Sequence, residues 1–155
     1  MGRTFAFEGD NNQTLEWIPL DCRRKLDLAG AKLSLAAWQQ MSREQREALI
    51  AADINSAIEA EQYRSLAVNL AGAVGGSVEL IVPVAFEERP WLTEAAMLEI
   101  EERARALAIA IDRARVLALD DASRYALLRL SDPRKSEEKL RAAIAELGVA
   151  FTRGG

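Results

Sequence analysis

Residues 33–50 read LSLAAWQQMSREQREALI, and residues 111–128 read IDRARVLALDDASRYALL. In both, a polar capping residue opens a short apolar segment, a second cap follows eight residues later, and an arginine stands four residues beyond that. Laid over each other at a shift of 78, Leu33 falls on Ile111, Ser34 on Asp112, Trp38 on Val116 and Met41 on Leu119. The match continues with Ser42 on Asp120, Arg46 on Arg124, Ala48 on Ala126 and Leu49 on Leu127, and upstream with Leu20 on Leu98 and Cys22 on Ile100. Roles repeat here rather than identities, and an internal duplication is the reading preferred over chance likeness between amphipathic helices.

The second copy shows why the pattern means helix. Leu119, Ser123, Ala126, Leu127 and Leu130 recur at i, i+4, i+7, i+8 and i+11, the spacing of one buried helix face. Arg124 lies well round from that stripe, as does Arg46 in the first copy. At such a rim a guanidinium lays its stem on apolar surface and offers its head to a carboxylate or carbonyl. Two readings stay open: a structural cap or ion pair, and the anchor of a ligand.

Working outward, alanine, leucine, glutamate and arginine dominate, while glycine and proline are sparse, so helix is favoured almost throughout. Pro19 suits the first turn of a helix running to Ala29, with Gly30 just past its end. Ser34 caps a short helix to Gln40, and Ser42 with Gln45 forms a capping box for a helix ending near Ala52. A longer helix from about Ser56 to Val74 stops at Gly75 and Gly76. SVELIVPV, residues 77–84, is too β-rich and proline-marked for helix and reads as one short strand or extended segment. A lone strand needs a partner for its backbone. The alternating TFAFE, residues 4–8, with Phe5 and Phe7 on one face, is the candidate within the chain, and a second copy of the protein is the other.

After AFEERPW, Thr93 caps a helix to about Ala108, Asp112 caps a short one, Asp120 caps one to about Leu130, and Ser136 opens a last helix to Leu147, closed by Gly148. The expected fold is therefore mainly α. It is a single compact helical domain, residues 1–155, of two pseudo-repeated units at about 14–75 and 92–148. A linker at about 77–91 joins them and carries the one extended segment near 78–84.

Of the 155 residues, 50% are apolar and 28% charged, the composition of a soluble globular protein rather than of a disordered one. MGRTFAFEGDNNQ has no apolar signal region, and no later run approaches the roughly 18 apolar residues of a membrane span. MGRTFA also lacks the serine or threonine of a myristoylation signal. One cysteine, Cys22, allows no internal disulfide, which fits a reducing compartment. The expected location is cytoplasmic, away from membranes. Net charge is −4, with the C-terminal third mildly basic, too weakly for nucleic acid.

No histidine occurs, which excludes Ser-His-Asp and Cys-His catalysis and the Glu-x-x-His iron sites of ferritin-like bundles. One cysteine and carboxylates make a poor zinc site. The glycines of LAGAVGGSVEL precede a strand rather than follow one and lack phosphate-loop spacing. No catalytic residue, metal or cofactor is therefore expected.

What remains is a set of binding candidates: Arg46, Arg124 and its neighbour Tyr125, the basic run Arg23, Arg24 and Lys25, and the tryptophans Trp17 and Trp91. Large rings at helix boundaries pack one element on another. If any ring is exposed, Trp17 and Trp91 are the ones expected at a binding surface, where tryptophan is enriched. Cys22 is expected to be buried and inert, because its counterpart is Ile100.

WIPLDCRRKLDLAGAKLSLAAW, residues 17–38, followed by RYALLRLSDP, residues 124–133, resembles the nitrate reductase-associated protein family of cyanobacteria and other bacteria. The matching residues are Ile18 and Pro19, Lys25 to Asp27, Lys32 and Leu33, Trp38, then Arg124 to Leu128 with Leu130 and Ser131. The opening FAFEGD is similar too, so the likeness covers essentially the whole chain. Members of that family tend to carry a His-Glu segment shortly after the Leu-Ser; here Asp132 to Glu137 stand instead, and a role resting on that imidazole is not carried over.

The resemblance implies an association with nitrate assimilation and transfers no defined activity. Two functions of different class follow. In the first, the protein is a non-catalytic accessory or regulatory partner of nitrate reductase or of its maturation machinery. In the second, it binds a small anion through arginines in a cleft between its halves. The sequence favours the first, since it offers binding surfaces and no catalytic apparatus.

Overall fold

The structure of the protein is a computed structural model and describes residues 3–151. Its contacts divide the chain into two compact units, Met1–Glu88 and Arg89–Gly155. Nine α-helices and one two-stranded antiparallel sheet occur among the described residues.

In the first unit, Ala6–Glu8 forms a 3-10 turn, followed by α1 (Asn11–Thr14) and then α2 (Leu20–Ala29). Pro19 is the N-cap of α2, with φ −60° and ψ 152°, where its missing N–H leaves no bond unmade. TFAFE is not the strand expected of it. Glu8 reaches back to the backbone N–H groups of Phe5 (3.2 Å) and Leu20 (2.9 Å), and the Asn12 amide donates to the Phe5 carbonyl (2.7 Å). Phe5 and Phe7 stack with centroids 5.0 Å apart, and Phe5 is fully buried. Side chains thus satisfy this backbone locally, and it has no need of a ladder.

The partner of the extended segment is β1 (Ala31–Leu33), which pairs antiparallel with β2 (Val78–Leu80) in the register Ala31 to Leu80 and Leu33 to Val78. Gly30, at φ 72°, turns the chain from α2 directly into β1. Only glycine fits there, because a Cβ would stand 2.7 Å from the Ile81 carbonyl oxygen and 2.8 Å from Pro83 Cγ.

The remaining helices follow the expected caps. The Ser34 hydroxyl accepts from Ala37 N at the start of α3 (Leu35–Gln40). Ser42 and Gln45 close both bonds of a capping box on α4 (Arg43–Ala51), and Ser56 caps α5 (Ala57–Ala73). Ala60, Tyr63, Ala67 and Ala71 form the buried stripe of α5, which packs on α2; three alanines let the two backbones approach closely.

In the second unit, a 3-10 turn at Pro90–Leu92 precedes α6 (Glu94–Ala106), α7 (Arg113–Leu117), α8 (Asp121–Leu130) and α9 (Glu137–Leu147). The side chains of Thr93, Asp112, Asp120 and Ser136 cap them in that order. The core of this unit gathers Met97, Ile100, Ala104, Val116, Ala126, Leu127, Leu140 and Ile144. A single bridge, Ile111 to Ala150, ties the segment before α7 to the segment after α9.

The starts of α3 and α7, at Leu35 and Arg113, lie 78 residues apart, as do those of α4 and α8, at Arg43 and Asp121. Gly30 and Ala108, at the same separation, both have positive φ, 72° and 60°. Among the described residues no helix is long and apolar enough to cross a membrane.

Candidate functional site

The basic run lies on α2, and two of its three cations are turned inward. Lys25 is fully buried; its ammonium donates to the carbonyls of Leu49 (2.9 Å), Ile50 (2.7 Å) and Ala52 (2.6 Å) at the C-terminal end of α4. These are carbonyls with no intrahelical partner, at the negative end of the helix dipole. Its Nζ also stands 5.2 Å from the centre of the Tyr63 ring and 4.0 Å from Asp21. Burial pulls the lysine's pKa below its usual value, while Cys22 and Asp21 oppose that shift.

Arg24, also buried, donates through Nε to Asp21 at 2.8 Å, and Asp21 further accepts from the Arg3 backbone N–H. Arg23 is half-buried. Cys22 is buried beside these cations, yet burial outweighs the lowering field of Lys25 and pushes the thiol up to about 12. It is a buried core group, as expected.

Arg46 spends its whole guanidinium on backbone. Nε donates to the Trp38 carbonyl (3.0 Å), one terminal nitrogen to Leu15 (2.9 Å) and the other to Gln39 (2.8 Å). It closes the C-terminus of α3 and fastens it to Leu15, whose φ of 52° aims the carbonyl at both Arg46 and the Trp38 indole N–H (2.7 Å). The structural reading of this rim arginine is the one its geometry supports.

Arg124 departs from that pattern. It is buried, at 9% relative exposure, and its Nε is sealed from solvent with no acceptor. No hydrogen bond or ion pair reaches its guanidinium among the described residues.

The tryptophans separate. Trp17 is 57% exposed on a loop held by Asn11, whose amide donates to the Trp17 carbonyl while its side-chain oxygen accepts from the Trp17 backbone N–H. Trp91 is buried and packs one element on another: the 3-10 turn at Pro90–Leu92 drives the ring against α8. There its indole donates to Asp121 at 2.6 Å, and its ring meets buried Tyr125 edge to face at 5.0 Å.

Asp121 is the residue that sequence reasoning passed over. It takes the Trp91 indole and also pairs with Arg89 at 3.4 Å. Its only sequence signal was an acid in the first turn of a helix, shared with many positions. The Arg113 pair with Glu94 (2.7 Å) and Glu101 (2.5 Å) is a second such cluster, and its hydrogen bond holds Glu101 below the usual carboxylate range. Among the described residues no three His, Cys, Asp or Glu side chains gather as a metal site.

These placements define a mainly helical protein in which most candidate binding groups are consumed by structure, with Trp17 on the surface and Arg124 uncommitted. The chain belongs to the conserved nitrate reductase-associated protein family, whose model matches residues 4–147 and so spans both units. No curated protein and no solved structure matches it.

Proposed function

We propose that the protein is a non-catalytic accessory or regulatory partner in nitrate assimilation, acting in the cytoplasm by binding nitrate reductase or the machinery that matures it. The observation that carries this reading is the family match over residues 4–147, a family described by its association with nitrate reductase. Two features support binding rather than chemistry. The chain has no histidine, and its single cysteine is buried with a raised pKa. Large apolar side chains meanwhile stand in solvent: Trp17, Leu80 at the end of β2 and Val82 just beyond it. Exposed apolar groups of this size mark docking surfaces more often than they mark catalytic clefts.

We further infer that the two units are a duplicated pair. The 78-residue separation of the starts of α3 and α7 and of α4 and α8, the positive-φ residues Gly30 and Ala108, and the antiparallel pairing that closes each unit after its last helix all support that reading.

The test is affinity purification of tagged protein from its native host grown on nitrate and on ammonium. Stoichiometric recovery of nitrate reductase or a cofactor-assembly protein on nitrate is the expected result. Recovery of the protein alone, or as a self-assembled dimer, in both conditions overturns the accessory role.

A further inference from the structure

We propose that Arg124 is the anchor of an anion site on α8, fitted to a carboxylate. The inference goes beyond the partner reading and stands without it.

The two rim arginines provide the comparison. Arg46 satisfies its Nε and both terminal nitrogens on three carbonyls. Arg124, at the equivalent place on α8, has the same side chain, is nine-tenths buried, and has no acceptor among the described residues. The local cause is visible. The first-unit arrangement needs Trp38 to hold the Leu15 carbonyl in place, and Val116 stands where Trp38 would be. Thr93, standing where Leu15 would be, turns its carbonyl into α6, where it accepts from Met97 N at 3.2 Å. The second arginine is therefore released from the structural task of the first.

The Arg124 Nε–H is removed from water without an acceptor, which is costly, and a native fold retains such a group where something completes it. The fork of parallel N–H donors matches a planar oxyanion, above all a carboxylate, which it grips through two bonds at once.

The carboxylate comes either from a free small molecule or from an acidic side chain of a protein, and the experiment separates the two. The Arg124 Nε–Hε resonance is followed by NMR in the full chain during titration with sodium acetate, with sodium chloride at equal ionic strength, and with a blocked peptide bearing one internal glutamate. The expected result is a saturable shift with acetate or peptide and none with chloride, the tighter of the two naming the source. In parallel, acetate raises the melting temperature of the wild type and not of Arg124→Met. Arg124→Lys, which keeps the charge and loses the fork, binds about tenfold more weakly and carries the test if the methionine variant folds poorly. An Arg124 resonance unmoved by both carboxylates, or an acetate response retained in Arg124→Met, overturns the proposal.

Discussion

At the scale of single residues, two arginines that each follow a helix cap by four residues do different work, and stability tells them apart. Arg46→Ala removes three hydrogen bonds to carbonyls at the end of α3 and should cost about 1–3 kcal/mol in urea unfolding. Arg124→Ala removes a buried charge that no acceptor holds, so it should be neutral or mildly stabilising and leave the fold intact. Equal losses from both substitutions would show that Arg124 is structural after all. Cys22 makes a separate point about pH. Its folded pKa, about 12, lies above the ordinary 9.0, so the contribution of the neutral thiol is complete below pH 9.0 and is lost as pH rises through about 12. Tyr63, also raised by burial, acts in the same direction. Unfolding free energy should therefore decline over that window, and Cys22→Ala should blunt the decline; at neutral pH a thiol reagent should label Cys22 only in denaturant. The rim placement of both arginines was legible from helical spacing. Which carbonyls Arg46 meets was not, because Leu15 lies 31 residues upstream and its position is set by tertiary packing.

At the scale of elements, what is local was readable and what is paired at long range was not. Ser34, Ser42, Ser56, Thr93, Asp112, Asp120 and Ser136 each cap the helix their position announces, since a cap needs only a side-chain oxygen two or three residues from an N–H. β1 was missed because Ala31, Lys32 and Leu33 carry no strand propensity; pairing with Val78–Leu80, 49 residues from Ala31 at Leu80, makes them a strand. TFAFE misled for the opposite reason, its alternation being genuine while Glu8 and Asn12 had already claimed its backbone. The turn before β1 is the stiffest joint of the first unit. Gly30→Ala combines left-handed strain with a clash at Ile81 and Pro83 and should cost about 2–4 kcal/mol. Ala108, 78 residues farther on, already bears left-handed strain at φ 60°, so Ala108→Gly should gain about 0.5–1 kcal/mol. Thermal melts of the two variants should move in opposite directions.

At the scale of the whole molecule, the question is which of its apolar surface is core and which is offered to a partner. The sequence places Trp17 and Trp91 alike, each within two residues of a proline at a segment boundary, and cannot rank them, because burial depends on what tertiary packing brings opposite the ring. Asp121 decides the matter for Trp91 by accepting its indole N–H, while the ring closes on Tyr125. Trp91→Ala should therefore cost about 3–5 kcal/mol, the price of an empty aromatic site together with an acid left short of a donor. Trp17 has no such environment, and Trp17→Ala should change stability by less than about 0.5 kcal/mol. If the protein works by docking, the cheap substitution is the one that should matter for function. In pull-downs from nitrate-grown cells Trp17→Ala should recover markedly less nitrate reductase or assembly protein than wild type at equal folded concentration. Val82→Lys, at 89% exposure on the open segment after β2, tests whether the same surface extends to that edge. Undiminished recovery with both variants would place the docking surface elsewhere on the molecule, whereas loss with Trp17→Ala alone would confine it to the loop that Asn11 holds.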